Sequence, residues 1–330
     1  MLNGLDFSWQ LNLISLFALV LICLLYILGT RLAGRGGVHP PLNKWRLAAF
    51  ITAIALGVLV LLTPFDTIAR TQLFAAHMVQ AVILTTLCAP LLLGACPDWL
   101  LQPILEQPAT RAVAKALTRP LVASILFNLT FLAWHAPAIF NVAQRSNALY
   151  QIEMLSFLLM ALLNWWPLIG PLRELRNLSY PVQMLYAFLD GQPVDIFAFL
   201  LVFTGTVFYR QYVIPQQLLQ NGYSPLADQA VGGAFLLIPG LVDLVVMSPL
   251  FFRWLAQIEQ QAKLADQRRQ EEEEAEAARL GAEDEQEDAQ MEASQRASQQ
   301  ARPPRLTARV NPTINGFASR TASLFIKWLL

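Results

Sequence analysis

Charge is scarce in this chain of 330 residues: Asp, Glu, Lys and Arg together make up 14% of it, against about a quarter in an ordinary soluble domain. The charges cancel, 23 bases against 23 acids, so the basic excess of a nucleic-acid binder is missing. A hydrophobic content of 55% excludes a wholly disordered chain. There are only three cysteines, with no Cys-x-x-Cys pair, which excludes a disulfide scaffold and a zinc ribbon. Gly-x-Ser-x-Gly, the P-loop, His-Glu-x-x-His and Gly-x-Gly-x-x-Gly are all absent, and the chain is read as no enzyme. Met1–Gln10 holds no Lys or Arg and no small-x-small site follows it. The first apolar run is therefore expected to be retained rather than cleaved as a signal peptide.

What the chain has is apolar length. A bilayer core about 30 Å thick needs roughly 20 apolar residues in a helix. Seven runs meet that need, approximately Leu11–Gly29, Trp45–Leu62, Leu73–Gly94, Pro120–Phe140, Leu149–Gly170, Pro181–Tyr209 and Ala230–Trp254. The expected fold is all-α: a polytopic membrane bundle of seven transmembrane helices over residues 1–256, then a polar, partly helical tail. Residues 257–300 hold 13 acids and 5 bases and read as an acidic solvated helix or disordered tail. Residues 301–330 hold 5 bases and no acid and read as a flexible C-terminus, contact with anionic lipid being the alternative.

Loop charge sets the orientation. The loops after runs one, three and five carry nine Lys and Arg, among them Arg111, Lys115 and Arg173. The other side carries three, Arg70, Arg145 and Arg210. The positive-inside rule then places the N-terminus in the periplasm and the C-terminus in the cytoplasm. The inner-side stretch 95–119 reads as short amphipathic turns at the membrane surface, with Trp99 as an anchor.

Polar groups within a bilayer are costly, and orientation turns sequence position into depth. His77 falls in the first turns of run three and His135 near the end of run four. Tyr150, Gln151, Glu153 and Met154 open run five; Asp228 and Gln229 lead into run seven. All share the outer side. Imidazole and thioether are soft donors that suit Cu(I), which makes His77, His135 and Met154 a candidate copper site, with Glu153 as an acceptor that orients an imidazole. The plainer alternative is that each histidine bonds only water or a backbone carbonyl. Cys96 lies 19 residues from His77, or roughly 28 Å along a helix, and is no part of this group. Cys23 and Cys88 read as core thiols and His39 as a solvated loop residue.

Three acids lie deeper: Asp190 and Asp195 in run six and Asp243 in run seven. No Lys or Arg within the runs can pair with them. They are expected to be neutral or to face a wet cavity. The stretch Asp190-Gly191-Gln192-Pro193-Val194-Asp195 is expected to break or kink its helix, since proline removes a donor. Gly232 and Gly233 are expected to permit close helix contact.

Several stretches together resemble a known family. They are His77-Met-Val-Gln-Ala-Val-Ile-Leu, Ala133-Trp-His-Ala-Pro-Ala-Ile-Phe140, Leu149-Tyr-Gln-Ile-Glu-Met-Leu-Ser-Phe157, Asn164-Trp-Trp-Pro167 and Ser224-Pro-Leu-Ala-Asp-Gln-Ala-Val-Gly-Gly233. Over about residues 45–256 the chain is similar to the polytopic CtaG-type family of cytochrome c oxidase assembly factors. The resemblance implies a multi-pass protein of the bacterial inner membrane that helps build a haem-copper oxidase. The implied partners are oxidase subunits, the lipid bilayer and a periplasmic copper donor, with no nucleic acid. It also implies a copper site, and His77, His135 and Glu153 match the pattern. Ala81, Tyr150 and Met154 stand where the family typically has histidine. Two readings follow from these departures: a branch that handles Cu(I) alone, or a metal-free scaffold. A third, from the deep aspartates, is a metal or proton transporter.

Overall fold

The computed structural model describes residues 5–35, 43–176 and 178–300. His39 and the basic segment 301–330 lie outside the described residues, as do the expectations that fall on them. The chain divides into two compact units, Met1–Glu259 and Gln260–Leu330.

The α-helices of the described residues follow in order. They are α1 (Leu13–Arg35), α2 (Lys44–Leu62), α3 (Pro64–Thr71), α4 (Phe74–Val82), α5 (Ala89–Ala95), α6 (Asp98–Leu101), α7 (Pro103–Glu106), α8 (Pro108–Leu117), α9 (Pro120–His135), α10 (Pro137–Arg145), α11 (Asn147–Ile169), α12 (Tyr180–Phe203), α13 (Gln216–Gln220), α14 (Pro225–Phe235) and α15 (Ile238–Gln300). A π-helical segment, Ile83–Cys88, joins α4 to α5. There is no strand among the described residues. Among the described residues six helices are long and apolar enough to cross a membrane, or seven if α8 and α9, bent by 66° at their junction, count as one broken span. In the second unit residues 260–300 are helical, and 260–298 are solvent-exposed.

Local chemistry explains where elements stop. Asn43 caps α2 by accepting the Trp45 N–H, and Thr63 caps α3 by accepting the Phe65 N–H, each satisfying a donor the first helical turn leaves free. The fourth expected span is shorter than its apolar run. Ala136 precedes Pro137 and is extended, with φ −61° and ψ 126°, because the proline ring disfavours helical backbone before it. The expected break in run six is not found: α12 is continuous through Pro193. Proline removes its own donor and crowds the carbonyl four residues back, and Gln192 adds a side-chain bond to the neighbouring Phe188 carbonyl at 3.0 Å.

The principal core gathers α4, α5, α9, α11, α12 and α14. Glycines set its closest approach. A Cβ on Gly232 would lie 2.7 Å from the Phe74 ring, and one on Gly233 would lie 2.8 Å from the Ala198 carbonyl oxygen. As expected from the sequence, the pair lets α14 settle against α4 and α12.

Candidate metal centre

Helix ends deliver both histidines. Leu73 precedes α4 with no capping side chain of its own. The cap comes from Asp228 of α14, whose carboxylate accepts the Phe74 N–H at 2.7 Å and the Ala75 N–H at 3.2 Å. It also accepts the Tyr223 hydroxyl at 2.9 Å. A carboxylate at a helix start satisfies orphan donors and complements the helix dipole. His77 follows about one turn later. Gln229, next to Asp228, accepts the Phe208 N–H at 2.7 Å and donates to the Thr206 carbonyl at 3.0 Å, tying down the loop after α12. The Asp-Gln-x-x-Gly-Gly stretch thus braces the start of α4.

His135 is the last residue of α9, placed there by the Ala136-Pro137 stop. Its carbonyl, one of those a helix end leaves unpaired, accepts the Tyr209 hydroxyl at 2.7 Å. Glu153 sits early in α11, whose first turn is capped by Ser146 accepting the Leu149 N–H.

These three side chains meet. One ligand atom each from His77, His135 and Glu153 lies within 4.8 Å of the other two. Among the described residues this is the one group of three or more His, Cys, Asp or Glu so arranged. The residues are 0–1% exposed. His135 Nδ1 lies 2.7 Å from the Phe131 carbonyl. A carbonyl only accepts, so Nδ1 carries the hydrogen and Nε2 is bare. His77 Nε2 and Glu153 Oε1 stand 3.6 Å apart, too far for a hydrogen bond. Among the described residues His77 Nε2, His135 Nε2 and both Glu153 carboxyl oxygens have no hydrogen-bond partner.

Buried polar atoms are nearly always paired, and each orphan costs about 1–3 kcal/mol. Orphan atoms on three neighbouring side chains fit a cation. Two imidazole nitrogens and a carboxylate are donors that bind transition metals. Aromatic rings wall the place off. Phe131 stacks on His135 at 4.3 Å between centroids and Phe140 stands edge-on to His77 at 5.0 Å. Phe157 lies parallel to the His135 ring at 5.5 Å.

On its other side His77 reaches a polar network that the sequence did not disclose. Its Nδ1 lies 3.4 Å from the Tyr150 hydroxyl, which donates to Gln80 Oε1. Gln80 Nε2 donates to the Val60 carbonyl and, at 2.9 Å, to Asp66 Oδ1. Asn12 Nδ2 donates to Asp66 Oδ2 and to the Leu61 carbonyl, both at 2.7 Å. Burial pushes the Asp66 carboxyl above its usual range, against the opposing pull of Asn12, Gln80 and Arg70. A buried Gln within an apolar run was the available signal. The Nδ1 atoms of His77 and His135 face the Tyr150 hydroxyl and the Phe131 carbonyl, while Glu153 stands on the Nε2 side of His77.

Met154 is fully buried in the principal core, about one helical turn beyond Tyr150 on α11. Cys96 caps the far end of α5, and burial pushes its thiol up to about 12. Asp190 is satisfied by Asn128 at 3.3 Å and by Asn164. With Asp195 and Asp243 it borders a cavity of about 60 Å³ that Asn164, Tyr186 and Thr85 also line.

Fold and geometry together define a multi-pass helical membrane protein with two histidines and a glutamate gathered in its interior. The family model of the cytochrome c oxidase caa3 assembly factor (Caa3_CtaG) matches residues 24–257, and the chain belongs to that family. No curated protein and no solved structure matches the chain.

Proposed function

We propose that this protein serves assembly of a caa3-type cytochrome c oxidase by holding Cu(I) at His77, His135 and Glu153 and passing it on from the periplasmic side. One observation carries the reading: three buried residues bring one ligand atom each within 4.8 Å of one another, and their free nitrogens and carboxyl oxygens have no hydrogen-bond partner. The family supplies the assembly role. Charge favours the monovalent ion. One carboxylate beside Cu(I) leaves the buried site neutral, whereas a divalent ion leaves a net positive charge where burying charge is expensive. Three donors suit a site that must also release its cargo. The protein acts as a carrier rather than a catalyst, seated in the bacterial inner membrane with its N-terminus outside and its C-terminus inside, receiving copper from a periplasmic donor.

The deep aspartates give the transporter reading less support, because Asp190 already has its partners. The test is anaerobic Cu(I) titration of the purified full chain against a chromophoric chelator. One tight equivalent is expected, lost in His77→Ala and in His135→Ala. Equal binding by both variants overturns the site. In cells lacking the protein, oxidase apoprotein present without its copper supports carriage; absence of the apoprotein favours a scaffold.

A further inference from the structure

We propose that Tyr150 is a positioning residue: together with Gln80 it fixes the proton of His77 on Nδ1, so that Nε2 stays bare toward Glu153 and His135. The inference rests on the reading of His77 as a ligand, but its first test involves no metal.

The argument is a count of donors and acceptors. The Val60 carbonyl can only accept, so the Gln80 atom facing it is the amide nitrogen. The same nitrogen serves Asp66 Oδ1 at 2.9 Å. Gln80 therefore presents its oxygen to Tyr150, and the single hydroxyl hydrogen of Tyr150 is committed to that oxygen. What the hydroxyl has left for His77 is lone pairs. His77 Nδ1, 3.4 Å away, must supply the hydrogen, and a neutral imidazole with Nδ1–H has a bare Nε2. In the opposite tautomer two lone pairs would face each other at Tyr150, and an Nε2–H would point at Glu153 Oε1, 3.6 Å off. That proton would stand where a cation belongs. Both tautomers carry the same charge, so this is a choice of position and not a titration. Four further bonds anchor the relay. Asn12 holds Asp66 and the Leu61 carbonyl, and its own oxygen accepts from Asn147 at 3.2 Å and Gln151 at 3.3 Å.

The experiment is ¹⁵N NMR of the metal-free full chain, labelled at histidine, in detergent. The chain has three histidines, so His77→Ala and His135→Ala assign the signals. Wild-type His77 is expected with Nδ1 protonated and Nε2 bare. Tyr150→Phe removes the acceptor. Gln80→Leu frees the Tyr150 hydrogen to turn toward Nδ1. Both variants should move the His77 proton to Nε2 in at least nine molecules of ten. Because affinity falls with the fraction of competent form, Cu(I) binding should then weaken about tenfold. A packing role for Tyr150 alone would lower the melting temperature without moving the proton.

A wild-type His77 protonated on Nε2 overturns the proposal, and this holds even if neither variant folds. So does a proton that stays on Nδ1 in both variants. A proton that moves while Cu(I) affinity stays unchanged upholds the relay and overturns the ligand role of His77.

Discussion

His77 and His135 meet edge to face, ring centroids 5.5 Å apart with 64° between planes, although they lie 58 positions apart in the sequence. Each has its Nδ1 engaged and its Nε2 without a partner. That shared asymmetry separates a site from two buried rings. An ordinary core histidine would use both nitrogens or turn one to water.

Removing either ring should remove the site. His77→Ala and His135→Ala are each expected to lower Cu(I) affinity at least a hundredfold, measured by chelator competition. Met154→Leu keeps the volume of the side chain. It is expected to leave affinity within about threefold if His77, His135 and Glu153 hold the ion by themselves. A loss comparable to that of the histidine variants would place the thioether among the ligands.

Asp228→Ala strips the start of α4 of its cap and leaves two buried N–H groups and the Tyr223 hydroxyl without their acceptor. Bonds to a charged acceptor contribute about 1.5–3 kcal/mol each, so a loss of about 2 kcal/mol or more is expected in thermal unfolding. Asp228→Asn should lose less, because its amide oxygen still accepts.

Gly232→Ala and Gly233→Ala separate two effects of crowding. The Cβ of Ala at 233 would meet the backbone carbonyl of Ala198 at 2.8 Å, and that of Ala at 232 the Phe74 ring at 2.7 Å. Overpacking costs about 1–3 kcal/mol. A ring yields more readily than a backbone, so Gly233→Ala should lower the melting temperature further. Gly232→Ala should instead weaken Cu(I) binding, since Phe74 stacks near His77 at 6.2 Å.

Cys96 offers a pH test away from the site. With its thiol pushed up to about 12, first by burial, about one molecule in 10⁴ is thiolate at pH 8, and only the thiolate alkylates. Labelling of Cys96 by iodoacetamide, followed by mass spectrometry, should be slow at pH 8. It should quicken about tenfold per pH unit until near 12.

Orientation is open to reporter fusions. Alkaline phosphatase joined after Arg145 should be active, and joined after Arg119 it should be silent, as the positive-inside count requires. The reverse pattern would put the donor site on the cytoplasmic side and end the proposal of periplasmic hand-over.

The apolar runs were legible because a bilayer demands length, and charged loops mark their ends. Their interiors were less so. Pro193 reads as a break or kink, yet α12 runs unbroken through it, while Pro137 does end a helix, with Ala136 extended before it. The meeting of His77, His135 and Glu153 was legible from the shared depth of their positions along the runs. The relay was not. Gln80 and Tyr150 are 70 positions apart, and a donor–acceptor count needs both ends in view. The sequence suggested metal chemistry at Tyr150 only as a poor replacement for histidine. The structure gives it a partner on each side.

The donor atoms touch no solvent, and aromatic walls surround them. Anything that arrives must shed its hydration shell and wait for the helices to part. Traffic through such a vault is timed by breathing of the bundle rather than by concentrations outside it. Past saturation, more scavenger in the medium would not empty it faster, whereas a docked partner that pries the rings apart would.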